Sequence, residues 1–122
     1  VLFELGFDGV NFGNTSTAYS KLRESVHPRE RRLFDYFVKT FGGGVSGRLL
    51  REMSLELASR AVEYLRNGEP SQEFHVIRTG GIETLNDIIE SEKAGISLNQ
   101  WYTGYFENFA KHGHDVYRKL FE

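Results

Sequence analysis

Ile77-Arg78-Thr79-Gly80-Gly81-Ile82 closes a short apolar run that begins at His75-Val76, and Trp101-Tyr102-Thr103-Gly104 follows one helix-length later. Two glycine-containing strand ends at this separation can jointly cradle a phosphate. At Gly80-Gly81 the missing β-carbons let backbone N–H groups close on an anion. A helix is expected to start at Glu83 or Thr84, with its N-terminus aimed at the same spot. Thr84 with Asp87 three residues on fits a capping box, Leu85, Ile88 and Ile89 supply an apolar stripe, and Gly95 ends the helix. Ser97 to Tyr102 then reads as the next strand. On this pattern alone, an ordinary strand-to-helix turn fits Gly80-Gly81 as well as a phosphate loop does.

Two consecutive strand–loop units that share a phosphate cup are the habit of TIM barrels, whose loops after the seventh and eighth strands commonly form such a site. A whole barrel takes about 250 residues, whereas this chain has 122. The expected fold class is therefore α/β: the C-terminal portion, about the last three strand–helix units, of a TIM (β/α)8 barrel, with parallel strands and flanking helices. Residues 1–122 are expected to be a single C-terminal fragment. There is no initiating Met, and Val1-Leu2-Phe3-Glu4-Leu5-Gly6 reads as the last turn and glycine cap of a helix.

The remaining elements follow from periodicity. Phe7 to Phe12 alternates as a first strand and ends at Gly13-Asn14-Thr15-Ser16, a polar turn cluster. Pro28 to Phe41 carries Leu33, Phe34, Phe37, Val38 and Phe41 on one helical side, with Arg29-Glu30-Arg31-Arg32 as a solvated face. After the glycine loop Gly42 to Gly47, Ser54 is expected to cap a helix to about Asn67, buried through Leu57, Ala58, Ala61, Val62 and Leu65 and stopped by Gly68. Glu69 to Gln72 is a loop, and about Phe109 to Phe121 is a closing helix buried through Val116, Tyr117, Leu120 and Phe121. Strands alternating with helices imply a parallel sheet.

Composition limits the functions. Fifteen basic and seventeen acidic residues give a formal charge of −2, which argues against a nucleic-acid surface built on bulk charge. No apolar run approaches the roughly 18 residues of a membrane span. Zero cysteine excludes disulfides and thiolate metal sites within these residues. His112 and His114 lack a distant third ligand and read as a solvated helix entry, so no metal site is expected. Asn14-Thr15-Ser16 spells a glycosylation sequon, but a polar turn is the simpler reading.

Three blocks resemble the C-terminal part of the dihydroorotate dehydrogenase family, in the family's order. They are Asp8-Gly9-Val10 through Asn14-Thr15-Ser16, then Gly43-Gly44-Val45-Ser46-Gly47-Arg48, then Gly80-Gly81-Ile82 with Ala94-Gly95 through Gln100-Trp101-Tyr102-Thr103-Gly104. The Asn-Thr-Ser block and the Tyr-Thr pair look more like the class 2, quinone-reducing branch. The resemblance implies an FMN enzyme that oxidises dihydroorotate to orotate in pyrimidine synthesis, with quinone as electron acceptor and a cytoplasmic or peripheral inner-membrane location. It matches Gly47, Gly80, Gly81, Tyr102 and Thr103 to FMN-binding positions, and Asn14 and Thr15 to residues that hydrogen-bond orotate. The catalytic base, the flavin-contacting lysine and the other orotate asparagines are expected before Val1, so no catalytic residue is expected here and the chain alone should be inactive.

The sequence departs from the family's pattern in places. Gly13 stands where class 2 members usually have a flavin-contacting Thr, Leu49 replaces a proline, and Arg78 occupies a strand position normally small or apolar. Arg78 could be an extra phosphate partner, since its fork suits phosphate, or could face out of an incomplete barrel. The stretch Tyr19 to Phe41 exceeds the family's usual connection and is expected to hold a helix beside the substrate loop. Two other readings stay open: another phosphate-binding TIM-barrel enzyme, or a non-catalytic segment. Open strand edges and apolar surface also imply that the isolated chain self-associates.

Overall fold

The computed structural model describes residue 2, residues 4–68 and residues 72–122. Three short strands, β1 (Gly9–Phe12), β2 (His75–Thr79) and β3 (Leu98–Gln100), form a parallel sheet in the order β1-β2-β3. The register sets Asn11 beside Ile77, Ile77 beside Leu98 and Thr79 beside Gln100. Side chains alternate across a strand, so Asn11, Ile77, Thr79, Leu98 and Gln100 share one face. Val10, Phe12, Val76, Arg78 and Asn99 share the other.

That second face is the packed one. Helix α3 (Arg51–Asn67) lies on β1 and β2, and α4 (Leu85–Lys93) packs against α3 and β3. Ala58 and Val62 of α3 meet Val76 of β2 and Ile96 of the loop before β3, with Phe12, Leu55, Ala61, Leu65 and Ala94 around them. Alanine at 58 and 61 lets the helix approach the sheet closely, and the spacing Leu55, Ala58, Val62, Leu65 is one helical face. α4 begins as its sequence dictates. Thr84 accepts from the Asp87 N–H, the Asp87 side chain accepts from the Thr84 N–H, and Gly95 follows the helix at φ +80°.

Several boundaries differ from expectation. Tyr19 to Phe41 holds two helices, α1 (Tyr19–Ser25) and α2 (Arg31–Phe41). Pro28 lies between them, and Arg23 of α1 pairs with Asp35 of α2 at 2.6 Å. The apolar stripe of α2 is present but unburied: Leu33, Phe37 and Phe41 are 58%, 51% and 68% exposed. α3 starts at Arg51, after a single 3-10 turn (Gly47–Leu50), so Ser54 is buried inside the helix and is not its cap. Leu57 is 44% exposed and lies off the buried face.

The closing helix is interrupted. α5 (Thr103–His112) stops at Gly113, whose φ of +56° favours glycine, and a 3-10 turn leads into α6 (Val116–Leu120). Val116 is buried, while Tyr117 and Phe121 are exposed. At the start, Leu2 and Glu4 to Gly6 form turns and no helix. Val1, Phe3 and, in the loop expected at Glu69 to Gln72, Glu69, Pro70 and Ser71 lie outside the described residues.

Candidate functional site

Beyond the C-terminal end of β2 the chain turns through Gly80 and Gly81, with φ of +113° and +73°. Side-chain-bearing L residues rarely adopt this region. At Gly81 a β-carbon would also lie 2.8 Å from the Leu50 carbonyl carbon and collide with the Arg51 backbone. The turn therefore rests directly on the start of α3. Above it lies a cavity of about 170 Å³.

All seven residues singled out from sequence, Asn14, Thr15, Gly47, Gly80, Gly81, Tyr102 and Thr103, line that cavity. Ser46, Thr79, Ile82, Gln100 and Gly104 complete it. Distant segments meet here through identifiable contacts. Ser16 and Val45 exchange backbone hydrogen bonds of 3.0 and 2.9 Å, and the Tyr19 hydroxyl donates to the Gly43 carbonyl at 2.5 Å. Gly44 has room only for hydrogen where it crosses the Thr15 side chain. Gly47, at φ +77°, turns the chain so that a β-carbon there would be 3.1 Å from Thr103 Cγ2. The Thr103 hydroxyl donates to Ser46 Oγ at 3.1 Å.

The cavity offers hydrogen-bond donors. Gly81 and Ile82 are buried, and neither N–H donates to another described residue. Both residues line the cavity, so their N–H groups are candidate donors to an acceptor held there. The opposite wall is the N-terminus of α5, which has no side-chain cap and no acid in its first turn. Its Thr103 and Gly104 line the cavity. A β-carbon on Gly104 would sit 2.6 Å from the Ile82 carbonyl oxygen, so glycine is needed to bring these two walls together. Among the described residues no charged side chain lines the cavity. An anion there would be held by amide dipoles and hydroxyls.

The other helix N-terminus is closed. Asp87 Oδ2 accepts from the N–H groups of Glu83 and Thr84 at 3.0 and 2.8 Å and from Thr84 Oγ1 at 2.8 Å. The expectation that α4 aims its N-terminus at the phosphate cup is corrected: residues 83–86 do not line the cavity, and the Asp87 carboxylate takes the Glu83 and Thr84 N–H groups. Burial pushes the Asp87 carboxyl up. The hydrogen bonds from Thr84 and Glu83 and the charge of Arg51 outweigh that and hold it below the usual range. Asp87 Oδ1 lies 2.6 Å from Arg51 Nε as an ion pair, not as an aligned hydrogen bond.

Arg78 is not a phosphate partner; it points outward from the sheet, under the helices. It is on the helix-covered face, fully buried, and does not line the cavity. Nε donates to Ser54 Oγ at 2.9 Å, Nη1 to Ser91 Oγ at 2.9 Å and the Asp87 carbonyl at 3.2 Å, and Nη2 to the Arg51 carbonyl at 2.8 Å. Burial pushes its guanidinium down from the usual range, with the charges of Asp87 and Glu90 opposing. Gly13 also has a local reason. At φ +97°, a β-carbon would run into the Thr79 carbonyl, so a threonine cannot stand there in this backbone.

Sequence reasoning missed the polar network on the open sheet face. Asn11 Nδ2 donates to Gln100 Oε1 at 2.9 Å, and the Thr79 hydroxyl lies 2.6 Å from Asn11 Oδ1 and 2.8 Å from Gln100 Oε1. Strand alternation puts each of these residues on one face, but only the register shows that they are neighbours. Elsewhere, the His114 ring packs edge-on against Phe109 at 5.6 Å. Among the described residues no group of three or more His, Asp or Glu could hold a metal ion.

Comparison with known proteins identifies the family. The family model described as Dihydroorotate dehydrogenase matches residues 1–122. The dihydroorotate dehydrogenase (quinone) of Mycobacterium ulcerans is 34% identical over 121 residues, covering 96% of this chain and 29% of the relative. That of Kocuria rhizophila is 33% identical over 102 residues, covering 84% of this chain and 25% of the relative. The crystal structure of ligand-free DHODH from Eimeria tenella superposes with a TM-score of 0.67 at 28% identity, covering 98% of this chain and 28% of that one. The chain thus spans between a quarter and a third of the length of these proteins. It belongs to the dihydroorotate dehydrogenase family.

Proposed function

We propose that residues 1–122 are the C-terminal strand–helix units of a TIM barrel whose intact protein oxidises dihydroorotate to orotate in pyrimidine biosynthesis with FMN as cofactor. The observation that carries this reading is the cavity shared by Gly81 and Ile82, whose N–H groups bond no other described residue, and the uncapped N-terminus of α5. An FMN phosphate fits that donor set, because it supplies acceptors for orphaned donors and negative charge for a positive dipole end. FMN, when bound, accepts the hydride from the substrate. Gly80, Gly81, Tyr102 and Thr103 hold its phosphate end and Gly47 its flank, while Asn14 and Thr15 present polar groups to orotate from the adjoining wall.

No residue here is assigned the proton abstraction; in this reading the base lies in another part of the intact protein. The relatives named as quinone enzymes favour quinone as the acceptor, which would place the intact protein at a membrane surface. Among the described residues no helix is long and apolar enough to cross a membrane. By itself the 122-residue chain is inactive. It self-associates through surface that other barrel units cover, including a groove of about 720 Å³ lined by Val10, Phe12, Leu57, Tyr64 and Phe74. A clean monomer in sedimentation at high concentration refutes that last point.

Parallel titrations of the intact protein with FMN and riboflavin test the site. Saturable binding that is much tighter for FMN is expected, together with dihydroorotate-dependent bleaching of the bound flavin. Equal affinity for both ligands would rule out the phosphate assignment. Another phosphate-binding barrel enzyme would bind a sugar phosphate or nucleotide without flavin and without bleaching by dihydroorotate.

A further inference from the structure

A buried guanidinium is costly unless its donors are matched, and every direct partner of Arg78 is a neutral oxygen. They come from two helices: the Arg51 carbonyl and Ser54 hydroxyl of α3, and the Asp87 carbonyl and Ser91 hydroxyl of α4. The Ser54 hydroxyl in turn lies 2.6 Å from the Gly80 carbonyl and 3.1 Å from the Arg51 carbonyl. It has one proton and two candidate acceptors. Arg78 Nη2 already donates to the Arg51 carbonyl, and Arg78 Nε donates to the Ser54 oxygen. The Gly80 carbonyl is the nearer of the two and the Arg51 carbonyl is already used by Arg78, so the Ser54 proton goes to Gly80.

The Gly80 carbonyl and the Gly81 N–H belong to one trans peptide plane, so they point in opposite directions. Holding that carbonyl down toward α3 holds the Gly81 N–H up, away from the helices. Between two glycines this plane can rotate cheaply, and a binding loop gains affinity when that freedom is removed beforehand. We propose that Arg78 is a positioning residue. Through Ser54 it fixes the Gly80–Gly81 peptide with its N–H presented to the cavity. The inference rests on the phosphate-site reading, and concerns how this chain holds the loop in place of the small or apolar residue usual at that position.

The test uses the intact protein, Ser54→Ala and Arg78→Met, each titrated with FMN, riboflavin and inorganic phosphate. Ser54→Ala removes one hydroxyl without adding bulk. It should weaken FMN and inorganic phosphate about fivefold or more while leaving riboflavin unchanged, since one hydrogen bond sets the loop. Arg78→Met should do the same where melting shows it folded; where it is not, Ser54→Ala decides. A change in the FMN-to-riboflavin ratio is a readout that general destabilisation does not produce. Folded variants that keep FMN and phosphate affinity within about twofold of wild type overturn the proposal. If the wild type binds riboflavin as well as FMN, the assignment of this cavity to the FMN phosphate fails and the inorganic phosphate arm decides alone. Weaker phosphate binding by Ser54→Ala then supports the positioning role, and unchanged or absent phosphate binding overturns it.

Discussion

Replacing Asp87 with asparagine is the most direct probe of how the two helices under the site are joined. The wild-type carboxylate is 1% exposed as a residue and takes three hydrogen bonds on Oδ2, from Glu83 N, Thr84 N and Thr84 Oγ1. A hydrogen bond to a charged group contributes about 1 kcal/mol more than a neutral one. Asparagine can keep these contacts only as neutral bonds, so the three together lose about 3 kcal/mol. Its amide N–H₂ then faces Arg51 Nε, at present 2.6 Å from Oδ1. Arg51 is one-third exposed and also pairs with Glu90 at 3.2 Å, so losing Asp87 adds no more than about 1 kcal/mol. Denaturant unfolding of the intact protein should show Asp87→Asn destabilised by about 3–4 kcal/mol. Thr84→Ala alone should cost about 1 kcal/mol, and the double variant less than the sum, because the two share one hydrogen-bonded unit. An Asp87→Asn protein within about 0.5 kcal/mol of wild type would refute the reasoning.

The same carboxylate sets a pH dependence. Its folded pKa lies below the ordinary value, so its contribution is present above about 3.9 and is lost as pH falls through the folded value. Acid titration of stability should therefore be steeper for wild type than for Asp87→Asn, and parallel curves would contradict this. Gly104→Ala places a β-carbon 2.6 Å from the Ile82 carbonyl oxygen. It should separate the two walls and cost FMN about tenfold or more in affinity while sparing riboflavin; equal loss of both would show a general collapse. Ile96→Ala, at a side chain 3% exposed in the core beneath β2, should cost about 2–5 kcal/mol by chemical denaturation, and a loss under about 1 kcal/mol would mean that the core collapses around it.

Local signals made much of the fold readable. The capping box at Thr84 and Asp87, the stop at Gly95 and the stripe Ala58, Val62 and Leu65 each depend on neighbours within a turn or two, and each stands where the pattern put it. The site residues converge on one cavity because parallel strand ends lie side by side, so loops far apart in sequence become adjacent in space. What could not be read depends on tertiary context. Ser54 has the chemistry of an N-cap, yet the 3-10 turn from Gly47 starts the helix earlier and leaves Ser54 free to bond Gly80. The amphipathic pattern of α2 gives its period but not its partner, and its Leu33, Phe37 and Phe41 face outward. Arg78 looked out of place in a strand because the acceptors that match it come from Arg51, Ser54, Asp87 and Ser91 on two helices.

The two helix N-termini near the glycine turn have opposite uses, and a single acid separates them. In α4 the Asp87 carboxylate is the anion at the helix start, and its oxygen consumes the Glu83 and Thr84 donors. A second anion there would meet a like charge. The capping box that makes this helix easy to recognise thus takes two of the N–H groups at its start, and residues 83–86 do not line the cavity. In α5 the first turn carries Thr103 and Gly104 with no acid and no cap. Its dipole and free donors stay available to the cavity. Gly81 and Ile82 sit just before the closed helix start and outside its capping contacts, which leaves their N–H groups to the same cavity. The proposed anion site is therefore assembled from the turn that leads into one helix and the N-terminus of the next.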